Sequence, residues 1–332
     1  MTEPLMRPLF NVPGAGSFVW AMGMASGYPS GAKLTARLRQ EKQLTKIEAE
    51  RLVAFTNASN PLFIIAAISI GFFHDEKLGI LLAVCHYVGN FFVGICMRFY
   101  RNRETKGYQK KTTLSLRRAF HELQITRMRD KRPFGKVLGD AVINSLQTLL
   151  MVGGFIIIFS VISKLLYLVN ITPMIAQIIY FFFSIFGLSQ DLTLPFIAGL
   201  FEITNGEPMT SETDTTLLQQ IALVSFVLGF TGLSTQAQVA SILAETDIRF
   251  FPYFIGRLLH GTFASLLAII LYKPLYVDRS TVTSTPASPV PEQSSFWTEM
   301  LESLGNVGPI LTIIFLTIGI IILSRRVIFS KN

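Results

Sequence analysis

Phe55-Thr56-Asn57-Ala58-Ser59-Asn60-Pro61 places a polar, helix-breaking cluster in the middle of an apolar stretch long enough to cross a bilayer. Phe230-Thr231-Gly232-Leu233-Ser234-Thr235-Gln236 does the same 175 residues later. The downstream spacing repeats as well: 26 residues separate Asn60 from His86, and 26 separate Ser234 from His260. Each histidine opens an apolar run that ends in an aromatic-basic pair, Tyr100-Arg101 and Tyr272-Lys273. Interrupted apolar segments at matching positions of two repeats are a sequence mark of a transporter's binding site.

The surrounding composition agrees. Half of the 332 residues are hydrophobic, 28 are Phe and only 15% are charged. Mean hydropathy is +0.48. Runs such as Leu149–Ile162, Ile175–Leu188 and Val307–Leu323 approach the ~20 apolar residues that a spanning helix needs, so the chain reads as a polytopic, all-α membrane protein. Cys85 and Cys96 lie 11 residues apart on one expected helix. That is about 16 Å along its axis, too far for a disulfide, and both read as buried small residues. Nothing resembles a P-loop, a metal-ligand spacing or a strand-to-helix glycine turn, so no enzymatic activity, cofactor or metal is expected.

Charge sets the orientation. Residues 101–136 hold twelve Lys/Arg against Glu104, Glu122 and Asp130. Between two spans this reads as a cytoplasmic loop under the positive-inside rule, not as a nucleic-acid surface. Residues 5–26, interrupted at Asn11–Gly16, read as a re-entrant hairpin. Lys33–Arg51 reads as a basic helix with a Thr45-x-x-Glu48 capping box. A broken span (49–73), an unbroken span (78–100), the basic loop and a single span (137–163) follow. Residues 173–206, interrupted at Gly187–Thr193, read as a second hairpin, followed by a broken span (216–243) and an unbroken one (250–273). With 101–136 inside, the loop 206–215 (Glu207, Glu212, Asp214) and the segment 278–306 fall outside, while Arg325 and Arg326 fall inside. The expected organisation is a first inverted repeat over 1–100, the basic loop 101–136 and a linking helix over 137–169. A second inverted repeat covers 173–273, an external loop 274–306 and a last span 307–332. Each repeat is a re-entrant hairpin plus a broken and an unbroken helix.

Several motifs carry a resemblance. They are Met22-Gly23-Met24-Ala25-Ser26-Gly27-Tyr28-Pro29-Ser30-Gly31-Ala32-Lys33, Glu48-Ala49-Glu50-Arg51, Thr56 to Pro61, His86-Tyr87-x-x-Asn90, and Phe201-Glu202-Ile203-Thr204-Asn205-Gly206. As a set they resemble the YlbJ-type sporulation integral membrane proteins of endospore-forming bacteria, which carry the nucleoside-recognition or Gate domain. The resemblance implies an architecture similar to concentrative nucleoside transporters, with two inverted units. It also implies a place in the outer forespore membrane and transport of dipicolinic acid out of the mother cell. Family members usually begin with further apolar helices, so the first repeat is expected to be short at its N-terminus. The alternatives are a cation-coupled nucleoside transporter and a spore-envelope membrane protein that transports nothing.

A flat dicarboxylate held at membrane depth needs hydrogen-bond donors more than fixed charge, and half-helix N-termini supply free N–H groups. The expected half-shells are Ser26, Tyr28, Ser30, Asn57, Ser59 and Asn60 on one side, and Glu202, Thr204, Asn205, Thr231, Ser234 and Gln236 on the other. Each of these could instead cap a broken helix end. Glu202 sits in an apolar stretch where burial favours the neutral acid; it reads as a proton carrier, a cation ligand or a cap. The resemblance adds that an acid in this hairpin of the nucleoside transporters contacts substrate. His86 and His260 are candidate proton relays or structural hydrogen-bonders. Lys33 would attract an anion or anchor the chain inside, and Arg257 would neutralise Glu202 or a substrate carboxylate. Expected partners are a small anionic substrate and membrane lipid; the sequence leaves a homo-oligomer open.

Overall fold

The structure, a computed structural model, describes residues 2–102, 132–278 and 317. Most of the basic loop, the connector 279–306 and the expected last span lie outside the described residues. The described residues from 2 to 278 belong to one compact unit, to which everything below refers. Among the described residues every regular element is helical. Four helical stretches among the described residues are long and apolar enough to cross a membrane: Lys77–Met97, Phe134–Leu168, Leu217–Leu243 and Phe250–Val277.

The chain opens with α1 (Glu3–Phe10), α2 (Ala15–Ser26) and α3 (Ser30–Gln40). α2 and α3 pack together about the turn Gly27-Tyr28-Pro29. Helix α4 (Lys46–Thr56) begins at a full capping box: Thr45 Oγ1 accepts from Glu48 N at 3.3 Å, and Glu48 Oε2 accepts from Thr45 N at 2.9 Å. The backbone leaves helical geometry from Asn57 to Asn60 and resumes at Pro61. Proline donates no N–H, so it suits a helix start. The resumed segment widens into a π-helix, α5 (Phe63–Phe72), and α6 (Lys77–Met97) follows.

After the 35-residue α7 (Phe134–Leu168) and α8 (Ile171–Ile185), a pair of nine-residue helices, α9 (Thr193–Phe201) and α10 (Ile203–Ser211), packs about Glu202. Next come α11 (Leu217–Phe230) and α12 (Gly232–Leu243), broken at the adjacent left-handed residues Thr231 (φ 72°) and Gly232 (φ 60°), and then α13 (Phe250–Tyr272).

Three sequence expectations are relocated. The helices do break at the expected Asn11–Gly16 and Gly187–Thr193, but the more closely packed pairs turn at 27–29 and at Glu202, and the expected single helix Lys33–Arg51 is two helices. Glycine explains the first. A Cβ on Gly23 would sit 1.8 Å from Thr56 O, and one on Gly31 2.1 Å from it, so the arms of α2 and α3 close around the end of α4 only without side chains there. A Cβ on Gly206 would meet Gly199 Cα at 2.2 Å, which brings α9 and α10 equally close. The third relocation is Glu207. Instead of lying in an external loop it is on α10, 1% exposed. Of the two cysteines Cys85 is buried, but Cys96 is exposed.

An aromatic cluster of Phe10, Trp20, Phe55 and Phe91 fills one core, with Phe10 stacked on Phe55 at 4.7 Å. Ion pairs tie the two halves at one end of the bundle. Arg249 binds Glu50, whose Oε2 also accepts from Tyr100 at 3.1 Å. Arg39 grips both oxygens of Asp247 at 2.8 and 2.7 Å. At the opposite end Tyr276 donates to Asp75 at 2.6 Å.

Hydrogen bonding from Arg39 holds the Asp247 carboxyl below its usual range. That depressed folded value means the pair's stabilisation is present above the unfolded carboxyl range. It is lost as pH falls through the folded value. The pair is partly solvated, with side chains 27% and 47% exposed, so Asp247→Asn is expected to cost no more than about 1 kcal/mol. Thermal unfolding of the detergent-solubilised variant, at neutral and at acid pH, measures this: the difference from the native protein should shrink on acidification.

Candidate functional site

The two turns and the two breaks converge. A cavity of about 180 Å³ is lined by Gly27 and Tyr28 of the first hairpin turn, Ser59 and Asn60 of the first break, Glu202, Ile203 and Thr204 of the second turn, and Thr235 and Gln238 just after the second break. Phe63 of α5 and Val152 and Ile156 of α7 complete the wall. Five of the residues expected in the site therefore share one chamber: Tyr28, Ser59, Asn60, Glu202 and Thr204.

Local geometry explains why polar groups point there. Asn60 Oδ1 accepts from Phe63 N at 2.7 Å, capping the helix that resumes at Pro61. Glu202 Oε1 accepts from Thr204 N at 3.2 Å and from Thr204 Oγ1 at 3.0 Å, so one carboxylate oxygen caps α10. Glu202 is 3% exposed and still lines the cavity. Capping and facing the chamber, left as alternatives by the sequence, coexist in this one side chain.

The remaining expected residues lie elsewhere. Asn205 donates to Ser160 at 2.9 Å, across to α7. It lines a second cavity of about 660 Å³ with Ser160, Ser163, Lys164, Tyr167 and Thr172. Thr204 borders both cavities. On α7 the residues Val152, Ile156, Ser160, Ser163 and Lys164 recur at the three- and four-residue spacing of one helix face. One stripe of α7 thus runs beside both chambers. Thr148, one turn further back, accepts from Lys33 Nζ at 2.7 Å; Lys33 is anchored there and does not line the central cavity. Ser26 is exposed and Ser30 opens α3. Asn57 donates to Tyr253 OH at 3.0 Å, and Gln236 donates to Phe230 O at 3.1 Å, closing the end of α11. Ser234 and Thr231 are buried beside that break and line neither cavity.

Arg257 has no carboxylate partner. Its guanidinium, 0% exposed, donates to Asn57 O at 2.7 Å, to Ala54 O, and to Asn90 Oδ1 at 3.1 Å. These acceptors include two carbonyls left open where α4 ends, so Arg257 caps a broken helix that belongs to the other half of the chain. The expectation that it neutralises Glu202 gives way to this geometry. His86 Nε2 accepts from Ser59 N at 3.0 Å, which leaves the hydrogen on Nδ1. His260 Nε2 lies 2.7 Å from His86 O and its Nδ1 3.1 Å from Arg257. The pattern is met by a neutral ring that donates from Nε2 and accepts at Nδ1. The rings lie 4.5 Å apart, buried behind the first break.

Thr235 and Gln238 were within reach of sequence reasoning, since Thr235 belongs to the repeated cluster and Gln238 lies one helical turn past Ser234. Val152 and Ile156 carried no polar signal.

A description of the nucleoside-recognition family, Gate, matches residues 149–246, from within α7 to just past α12. The chain is 50% identical over 334 residues to the sporulation integral membrane protein YlbJ of Bacillus subtilis (strain 168), across 98% of this chain and 81% of that protein. No solved structure matches.

Proposed function

The chain belongs to the family of the sporulation integral membrane protein YlbJ, and from that premise we propose that it is a secondary transporter of dipicolinate in the outer forespore membrane. The observation that carries the reading is the meeting of two hairpin turns and two helix breaks at one polar chamber. In a bilayer, non-helical backbone is tolerated where it is buried in protein or lines a cavity, and paired broken segments mark transporter sites. The repeated order of hairpin, broken helix and unbroken helix supports two inverted units. On this reading Tyr28, Ser59, Asn60, Glu202, Thr204, Thr235 and Gln238 contact the substrate.

Size and charge favour a small anion. The chamber, about 180 Å³, falls below the ~300–1,000 Å³ typical of sites for drug-sized ligands, which suits a single ring better than a nucleoside. Lys164 at the second cavity is the only charged residue of α7 after Asp140, and it would draw a carboxylate toward the chamber.

Flux of labelled dipicolinate into proteoliposomes tests the proposal. Saturable uptake that requires the protein is expected, as is a deletion strain whose spores lack dipicolinate until the compound is supplied. Uridine uptake in place of dipicolinate uptake would assign the protein to nucleosides. Normal dipicolinate in the deletion strain would exclude the transport role.

A further inference from the structure

Glu207 is the least explained buried group of the described residues. It is 1% exposed, and neither carboxyl oxygen has a hydrogen-bond partner. The helices packed most closely on α10 are α9, α11 and α5, and none carries a titratable side chain. The charged or titratable groups that bear on it come from the turns and from α7. Glu202, five residues away, acts on it as a like charge. The Tyr28 hydroxyl is within electrostatic reach. Lys164 borders the cavity shared by Pro208 and Met209, the residues following Glu207, but forms no ion pair with it.

A dry carboxylate with no donor is too costly to persist, because burial removes its hydration and nothing replaces it. Two neighbouring carboxylates in such a site cannot both stay ionised. A proton neutralises such a carboxyl without any further ligand, whereas a sodium ion would need several oxygen ligands around it. We infer that Glu207 is a proton-binding site that couples proton movement to the transport proposed above. It holds one proton when Glu202 is ionised and passes it to the Glu202 carboxylate. No hydrogen bond joins the two carboxyls, so a water or a shift of the turn relays the proton; the step leaves Glu207 ionised and Glu202 neutral, with the total charge unchanged, until a proton from water in the second cavity, which the adjacent Pro208 and Met209 line, restores Glu207. Glu202, which lines the central chamber, then returns the proton to the aqueous side that the chamber faces. This inference rests on the transport reading and adds the coupling ion and the residue that carries it.

The experiment compares the native protein, Glu207→Gln and Glu207→Asp in proteoliposomes, with labelled dipicolinate and an imposed pH gradient. The native protein is expected to change its uptake severalfold with the gradient. Glu207→Gln, which keeps the shape of the neutral acid, should fold and still pass dipicolinate but lose the gradient response. Glu207→Asp should retain the response. Infrared difference spectra of the substrate-free protein give a second reading: a protonated-carboxyl band should be present in the native protein and missing from Glu207→Gln. A full gradient response in Glu207→Gln overturns the inference, as does an unchanged carboxyl band. Native uptake driven by sodium and indifferent to pH overturns it while leaving transport intact. No native uptake of any kind overturns the transport reading, and the coupling role with it.

Discussion

Arg257→Met is expected to leave little folded protein in the membrane. The guanidinium is fully buried and supplies donors to Ala54 O, Asn57 O and Asn90 Oδ1, with His260 Nδ1 at 3.1 Å. Its plane also lies over the Tyr253 ring at 5.6 Å. Methionine fills comparable space and supplies no donor. Each buried acceptor left unpaired costs about 1–3 kcal/mol, and at membrane depth water is a poor substitute. Three orphaned acceptors together are expected to cost on the order of 5 kcal/mol, comparable to the whole stability of many domains. Membrane yield and thermal aggregation in detergent are the measurements. Arg257→Lys keeps the charge but lacks the planar fork, so an intermediate loss is expected. Native yield and melting for Arg257→Met, with transport alone abolished, would make Arg257 a substrate ligand and not a cap.

That role explains what the sequence could and could not disclose. The polar clusters at Asn57–Asn60 and Thr231–Gln236 announced breaks because Pro61, Gly232 and short polar side chains interrupt long apolar runs. The matched spacing of His86 and His260 raised the expectation of two similar halves, and the structure brings the two rings within 4.5 Å of each other. The partners of Arg257 stayed hidden because they are mostly backbone carbonyls, which have no letter in a sequence. The first hairpin was misplaced for a related reason. Its second arm, α3, buries Gly31, Ala32, Thr35 and Ala36, so it packs through small residues and looks too polar for membrane depth. Glu207 was read as a loop acid because it precedes Glu212 and Asp214. Helix α10 runs to Ser211, through Pro208, and carries it inward. Apolar Val152 and Ile156 line the chamber only because α7 lies alongside it, a packing fact with no local signal.

Glu202→Gln is expected to cut dipicolinate transport about tenfold or more, the effect of roughly 1.4 kcal/mol on replacing an acid that can change its charge by an amide that cannot, while protein level stays unchanged. The separation of the two outcomes follows from the geometry. Oε1 of Glu202 caps α10 by accepting from Thr204 N and Oγ1, and an amide oxygen can accept both bonds. The cap survives, so the fold should too. What glutamine cannot do is take up and release a proton beside the substrate. A permanently ionised Glu202 would repel a dicarboxylate, and a permanently neutral one could donate to it but never reset. On the proposed transport of a dicarboxylate, a group that changes its charge between loading and return would serve both steps, and Glu202 is the one acid among the described residues that line the chamber. Spore dipicolinate content and proteoliposome uptake measure the effect. Glu202→Ala supplies the contrast, because it removes the cap as well and is expected to lower both protein level and flux. Native dipicolinate content in Glu202→Gln spores, at native protein level, would remove Glu202 from the transport cycle and leave it as a helix cap alone.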